Sequence, residues 1–190
     1  MHENELWQVY ADNGKPIQDY GRDPEVFKTD TSLIMGNAHI WLWKKSTDNT
    51  VDILLQQRSL TKNSKPGWLH ISAGGHVNKG ESALQAAVRE TKEEMGLDID
   101  PDKLHFSFSM RIIGRAPNDI ATVYIYELNG DEEFTYLDGE VEAYEWHSLD
   151  DFKNIMKDPE SHNLINQGRL YFDSLVNSIE HVALGSNNLM

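Results

Sequence analysis

The sequence predicts an α+β fold in which a mixed β-sheet is flanked by helices. Segments rich in β-branched and aromatic residues occupy much of residues 33–57 and 104–147, which is typical of strands. Between them, over residues 82–95, the apolar residues change to a helical period. A second helical stripe follows near the C-terminus. Strands on both sides of a helix, followed by another helix, favour one sheet with helices packed against it.

The N-terminal third of the chain is predicted to form strands and turns. Asp12, Asn13 and Gly14 are turn residues, and with the extended residues around Ile17 they predict an N-terminal hairpin within residues 5–25. The β-rich segments place three strands here: 6–10, 33–43 and 51–57. Residues 59–67 are polar and end in Pro66 and Gly67, which predicts a surface loop before the short segment 68–72.

Signals for both ends of a helix bracket residues 83–95. One apolar stripe at i, i+4, i+7 and i+11 consists of Leu84, Val88, Thr91 and Met95. Ser82 and Gln85 form a capping-box pattern, and Gly96 stands where a helix ends on a left-handed residue. The segment is therefore predicted to be a helix with both ends specified.

The C-terminal half continues with strands and then helices. Strands are predicted at 104–113, 121–128 and 142–147, the first two separated by the connection 114–119. Leu149, Phe152 and Met156 indicate a short helix, and a longer one over about 161–184 follows from the stripe Leu164, Tyr171, Leu175, Ile179 and Val182. No repeat or composition break divides the chain, so we expect a single domain over 1–190 with its core at about 30–155.

Composition and charge exclude several functions. The 31 Asp and Glu against 17 Lys and Arg give a net charge of -14, which disfavours binding to a nucleic-acid duplex. The absence of cysteine excludes disulfides, thiolate nucleophiles and zinc–thiolate sites. Apolar runs are too short to span a bilayer and the N-terminus has no leader-like apolar region, so we expect a cytoplasmic protein with no membrane contact. The oligomeric state stays open, and a homodimer is among the alternatives.

Three carboxylates share one side of the predicted helix. Glu90, Glu93 and Glu94 fall within an arc of roughly 100°, where like charges at i, i+3 and i+4 repel. A cation between them would offset that repulsion, and Mg²⁺ suits hard oxygen ligands while keeping sites for water and substrate phosphates. The pattern thus predicts a metal-bridged diphosphate site. A solvated acidic helix face is the alternative interpretation.

The whole string from Gly75 to Leu97 decides between these interpretations. Seven positions, Gly75, Glu81, Arg89, Glu90, Glu93, Glu94 and Gly96, match the Nudix box GX5EX7REUXEEXGU, in which U is a bulky aliphatic residue. At a frequency of about 7% for each residue type, chance agreement is on the order of one in a hundred million. Thr91 departs from the pattern at the first U position. Most of residues 34–152 resembles a member of the Nudix family.

The resemblance implies a fold and a reaction. The fold is a mixed sheet between helices, an α/β/α arrangement, here with an N-terminal hairpin and a C-terminal helix. The reaction is the hydrolysis of a nucleoside diphosphate linked to another moiety, or of a simple nucleoside diphosphate, with Mg²⁺ or Mn²⁺ as cofactor. The expected partner is therefore a small nucleotide-type diphosphate.

The resemblance also assigns expected roles to residues. Glu93 and Glu94 would be the main metal ligands, Glu90 a further ligand or the base acting on water, and Arg89 an orienting partner. Glu81 would assist the metal or hold the loop, and the Gly74 carbonyl is a further candidate ligand. Auxiliary or substrate-binding roles are considered for Gly75, His76, Glu140 and Glu142.

Two rival functions follow from the same resemblance. The string from Gly67 to Val77 is similar to the branch that includes type 1 isopentenyl diphosphate isomerases, whose cysteine would fall at Gly74. Since this chain has no cysteine and residues 120–126 lack the carboxylates of the isomerases, isomerase activity is disfavoured. A non-catalytic nucleotide-binding regulator is disfavoured because such modules often lose box glutamates and all four are present.

Overall fold

The structure is a computed structural model that describes residues 6–17, 30, 32–46, 50–112, 118–135 and 139–185. Part of the predicted hairpin region 5–25 and most of the predicted connection 114–119 lie outside these ranges. Within the described ranges, no helix combines the length and the apolar character needed to cross a membrane.

The described residues form nine strands and three α-helices. The strands are β1 Val9–Tyr10, β2 Pro16–Ile17, β3 Ile34–Lys45, β4 Val51–Arg58, β5 Leu69–His70, β6 Ala73–His76, β7 His105–Ile112, β8 Asn118–Glu127 and β9 Val141–Ser148. The helices are α1 Ala83–Met95, α2 Leu149–Ile155 and α3 Arg169–Leu184, and short 3₁₀ turns occur at Pro101–Lys103 and Glu160–His162.

Strand β3 is the centre of a single mixed sheet. Along one edge it pairs in parallel with β8 over ten residues, from Ile34 opposite Asn118 to Trp43 opposite Glu127. It also pairs in antiparallel fashion with β1, β6 and β4. Strand β9 continues the sheet beyond β4, and β7 continues it beyond β8. The predicted mixed sheet is confirmed.

Helices cover both faces of this sheet, as predicted. Alternate residues of β3 enter two cores, because successive side chains of a strand point to opposite faces. Ala38, Ile40 and Leu42 pack in the core that contains α1. Trp41 and Trp43 pack in the other core, together with α2 and α3. The α/β/α order therefore places α1, next to β6, on the face opposite α2 and α3.

Helix α1 has the ends that its sequence specifies. The Ser82 hydroxyl accepts the Gln85 N–H and the Gln85 side chain accepts the Ser82 N–H, which completes the capping box. Gly96 ends the helix with φ of 71°. Thr91 is fully buried, and its hydroxyl donates to the Ala87 carbonyl at 2.8 Å, so the polar atom at this aliphatic position is satisfied within the helix.

Two features differ from the predictions. The C-terminal helix begins at Arg169 rather than near residue 161, because Leu164 forms a bridge with Leu69 and Gly168 has φ of 95°. The second difference is β6, a separate short strand after the predicted segment 68–72. Both features depend on pairing with residues far away in the chain, which a local pattern does not encode.

Candidate active site

Strand β6 brings two glycine backbones against the carboxylates of α1. The Gly74 N–H donates to Oε2 of Glu94 at 2.9 Å. A Cβ on Gly75 would overlap the Glu90 carboxylate, lying 2.7 Å from even its farther oxygen, Oε2. Only residues without side chains allow β6 and α1 to approach so closely.

Four of the predicted site residues, Glu81, Glu90, Glu93 and His76, accept hydrogen bonds from the Arg89 guanidinium. Its Nε and Nη2 donate to the two oxygens of Glu81, both at 3.0 Å. Its Nη1 donates to Glu90 at 2.7 Å and to Glu93 at 3.0 Å, and Nη2 also donates to the His76 carbonyl at 2.9 Å. Burial alone would lower the pKa of Arg89, but these carboxylates hold it well above its usual value. The cation that offsets the repulsion along α1 is therefore a side chain of the helix itself.

Burial governs the charge of Glu90. Loss of solvent raises its pKa to about 7, and although Arg89 opposes this shift, the negative charges of Glu93 and Glu140 add to it. A carboxyl group with such a pKa can exchange a proton near neutral pH.

Glu81 lies near the end of the loop 77–82, which connects β6 to α1. Besides Arg89, it accepts the Asn78 N–H at 2.9 Å. Burial would raise the pKa of Glu81, but its hydrogen bonds to Arg89 and Asn78 outweigh that effect and lower it. Glu81 is therefore a charged anchor that ties the loop to Arg89.

Glu94 occupies a separate, more enclosed position. It is 5% exposed, and Oε2 accepts the side-chain N–H of Gln56 at 3.3 Å as well as the Gly74 N–H. Its backbone carbonyl accepts the Tyr144 hydroxyl at 3.1 Å. The box glutamates thus divide into a group around Arg89 and one held by β6 and β4.

His76 takes part through its backbone as well as its ring. The carbonyl accepts a hydrogen bond from Arg89, while the imidazole stacks on Trp7 with the ring centres 4.1 Å apart and the planes 15° from parallel. The structure therefore brings His76 to the edge of the site, with its ring packed against the N-terminal segment.

The two carboxylates considered after the box differ in position. Glu140 forms an ion pair with Lys62, and its carbonyl accepts the Ser59 N–H. Its charge acts on Glu90, so it lies near the site. Glu142 is exposed on β9. Of the pair, Glu140 is the one that the fold brings to the box carboxylates.

Sequence reasoning missed several residues that border the site: Gln56, Arg58, Lys62 and Tyr144. Burial lowers the pKa of Arg58, whereas the nearby charges of Glu140 and Glu94 raise it. Arg58 and Lys62 thus supply positive charge beside an acidic site. The available signal was the run Gln56, Gln57 and Arg58, which ends an otherwise apolar strand with polar residues.

The donors at this site suit a hard divalent cation. Glu90, Glu93 and Glu94 offer carboxylate oxygens. Burial is the main cause of the raised Glu90 pKa, and a cation would relieve the repulsion from Glu93 and Glu140 that adds to it. In the part of the chain that the structure describes, however, no three His, Asp or Glu side chains are arranged to share a metal ion. The hydrogen bonds explain this, because Glu90 and Glu93 share Arg89 Nη1 and Glu94 faces Gly74 and Gln56. Metal ligation therefore requires these side chains to change partners.

Comparisons with known proteins agree with this geometry. The family model described as NUDIX domain matches residues 37–167, more than half of the chain. The chain is 30% identical over 128 residues to Nudix hydrolase 3 of Arabidopsis thaliana, a match covering 63% of this chain and 16% of that protein. It is 32% identical over 114 residues to an isopentenyl-diphosphate Delta-isomerase of Cutibacterium acnes, covering 55% of this chain and 57% of that protein. The chain thus spans less than two thirds of either relative.

A solved structure shares the fold. The structure of DR0079 from Deinococcus radiodurans superimposes with a TM-score of 0.60, covering 90% of this chain and 96% of that one, at 19% sequence identity. At this identity the match shows the arrangement of strands and helices alone.

Proposed function

The chain belongs to the Nudix family, whose hydrolases generally act on nucleoside diphosphate derivatives, and we propose that it is a divalent-metal-dependent hydrolase of such a compound. The observation that carries the proposal is the convergence of Glu81, Glu90 and Glu93 on Arg89 beside Gly75. Arg89 is only half-buried, and three carboxylates on one guanidinium leave an excess of negative charge that binding of a cation would offset.

In the proposed reaction Glu93 and Glu94 would hold Mg²⁺ or Mn²⁺, and Glu90 would be either a further ligand or the base that acts on water. The Gly74 carbonyl is a further candidate ligand. When bound, the metal neutralises phosphate oxygens and activates water. Arg89 keeps its carboxylates oriented, since a bidentate guanidinium fixes their direction. In the second of its two roles, as the base, the Glu90 carboxylate would take the proton from the attacking water.

Positive side chains near Glu94 and Glu140 complete the proposal. Arg58 lies within electrostatic reach of both Glu94 and Glu140, and Lys62 pairs with Glu140. The Arg58 guanidinium donates to the Ser64 carbonyl and Lys62 pairs with Glu140, and exchanging these partners for phosphate oxygens would let both side chains bind the diphosphate. Their position in an otherwise acidic chain supports a substrate of high negative charge.

The test is a mass-spectrometric screen for turnover. Nucleoside diphosphates, nucleotide sugars, dinucleoside polyphosphates, coenzymes and isopentenyl diphosphate are each incubated with Mg²⁺ or Mn²⁺. The same screen is run on Glu94→Gln and on Glu160→Gln, an exposed glutamate in the 3₁₀ turn. We expect one substrate class to be hydrolysed by the wild type and Glu160→Gln, and by Glu94→Gln at least about 100-fold more slowly. Binding without turnover under either metal would instead favour a regulator.

Isomerase activity is the second candidate, because one relative is an isomerase. Two observations oppose it. The chain has no cysteine, and Gly74, where the resemblance would put one, has no room for a side chain. A Cβ there would lie 2.6 Å from the Ala38 carbonyl oxygen and from Cδ1 of Ile71. Conversion of isopentenyl diphosphate to dimethylallyl diphosphate in the screen would reverse this ranking.

A further inference from the structure

Residues 6–8 of the N-terminal segment pair with residues 77–79, in the loop that leads from β6 into α1. The Gln8 N–H donates to the Val77 carbonyl and the Lys79 N–H donates to the Leu6 carbonyl, both at 2.7 Å. Between these bonds, Trp7 forms an antiparallel bridge with Asn78. The loop that leads from β6 into α1 is therefore held by residues from the far N-terminal end of the described chain.

Trp7 is the side chain through which this segment reaches the site. It is 9% exposed and belongs to a small apolar cluster with Val9, Leu33 and Met35. Its indole also lies nearly parallel to the His76 imidazole, 4.1 Å away. The Trp7 ring therefore contacts both this apolar cluster and His76, the residue directly after Gly75.

The backbone of His76 connects the Trp7 contact to the carboxylates through Arg89. Its carbonyl accepts from Arg89 Nη2, the same nitrogen that donates to Glu81. Moving the His76 peptide would displace the carbonyl that accepts from Arg89, and the guanidinium would then shift together with Nη1, which donates to both Glu90 and Glu93. Groups that orient metal-binding carboxylates in this way typically change affinity or activity by 10- to 100-fold when they are removed.

We propose that Trp7 is a positioning residue for the carboxylate site, acting through its stacking on His76 and the hydrogen bond from Arg89 to the His76 carbonyl. As far as catalysis is concerned, the inference rests on the proposed function. Its structural part, that Trp7 restrains Arg89, does not depend on which substrate is hydrolysed. The competing explanation is that Trp7 only fills the apolar cluster.

Four variants separate these explanations. Trp7→Leu keeps an apolar side chain in the cluster but has no ring to stack on His76, whereas Trp7→Phe retains a ring. Val9→Ala loosens the same cluster and leaves the Trp7 and His76 rings unchanged in the sequence. His76→Ala removes the imidazole and keeps the carbonyl. All are compared at a temperature at which circular dichroism shows each to be folded, so loss of the fold does not enter the comparison.

The first readout needs neither metal nor substrate. Solvent exchange of the Arg89 Nε–H, which donates to Glu81, is followed by ¹⁵N nuclear magnetic resonance and assigned with Arg89→Lys. We expect exchange about 10-fold faster in Trp7→Leu and His76→Ala, and within about 3-fold of the wild type in Trp7→Phe and Val9→Ala. The double variant Trp7→Leu/His76→Ala should resemble either single variant, because both remove one interaction.

The second readout is Mn²⁺ affinity by titration calorimetry, with kcat and KM for whichever substrate the screen identifies. Trp7→Leu should weaken Mn²⁺ binding and lower kcat by about 10-fold each, with KM within about 3-fold of the wild type. Unchanged Arg89 exchange in Trp7→Leu, or equal effects in Val9→Ala, would overturn the inference. A wild type without turnover whose Arg89 exchange still responds to Trp7→Leu would remove the proposed function and leave the positioning role standing.

Discussion

Replacing Gly75 with alanine tests whether contact between β6 and the Glu90 carboxylate sets the geometry of the site. The backbone of Gly75 is not in the left-handed region, so alanine is permitted there. The added Cβ would lie 2.7 Å from Oε2 of Glu90 and nearer still to Oε1 and Cδ. Since ordinary contacts begin at about 3.4 Å, the carboxylate must move by about 1 Å and lose its 2.7 Å hydrogen bond from Arg89.

The magnitude follows from that displacement. Loss of a hydrogen bond between charged groups costs about 2 kcal/mol, which for a chain of this size lowers Tm by about 4–8 °C. A misplacement of about 1 Å in a catalytic group lowers turnover by about 100-fold. We therefore expect a folded Gly75→Ala protein with a modest loss of stability and a large loss of activity.

Thermal unfolding of a double-mutant cycle with Glu90→Ala provides the assay. Because Glu90→Ala removes the atoms that the new Cβ would meet, Gly75→Ala should cost almost nothing in that background. If Gly75→Ala lowered Tm equally in both backgrounds, the obstacle would be the backbone rather than the carboxylate, and the reasoning would be refuted.

Three further predictions concern the same site. Gly74→Ala should lower Tm more than Gly75→Ala, and no side-chain deletion at position 94 should restore it, because its Cβ meets the Ala38 carbonyl oxygen; recovery in a Glu94→Ala background would contradict this. Arg89→Lys should cost about 2–3 kcal/mol in denaturant unfolding, since lysine cannot bridge both oxygens of Glu81, whereas the exposed Arg169→Lys should cost less than about 0.5 kcal/mol. In the folded protein the pKa of Glu90 is about 7, whereas its ordinary value is 4.5. Between these two pH values the folded state therefore binds a proton at Glu90 that the unfolded state has lost. The free energy of unfolding decreases as the pH rises from 4.5 to 7, by up to about 3 kcal/mol. Metal-free wild type should therefore lose stability between pH 5 and pH 8 relative to Glu90→Gln, and parallel pH profiles of the two would count against the buried carboxyl.

The local features of the fold could be predicted because they are written over short stretches of sequence. Helix α1 was specified by Ser82, Gln85 and Gly96, and each has the conformation expected of it. The two faces of β3 follow from its apolar composition. The start of α3 could not be predicted, because the bridge between Leu164 and Leu69 interrupts a stripe that otherwise reads as helical.

The sequence predicted which residues form the site, but not which hydrogen-bond partners hold their side chains. Spacing placed Glu90, Glu93 and Glu94 on adjacent turns, but it did not show that Arg89 divides them or that Gly74 and Gln56 hold Glu94. Arg58 was missed because only the fold brings β4 next to α1. The roles assigned to these residues stay predictions that the proposed variants test.

The parallel pairing of β3 with β8 has a consequence for synthesis of the chain. Asn37 and Asp119 hydrogen-bond across 82 residues, and the box helix lies inside the loop that this pairing closes. A nascent chain therefore carries its complete acidic helix before β3 can pair with β8. The strands β1, β4 and β6 are available to β3 earlier, but its ten-residue parallel pairing is complete only once residue 127 has been synthesised. Sheets with such distant pairing fold slowly and leave apolar strands exposed meanwhile. For this protein, the interval between synthesis of β3 and synthesis of β8 is when aggregation and chaperone binding would concentrate.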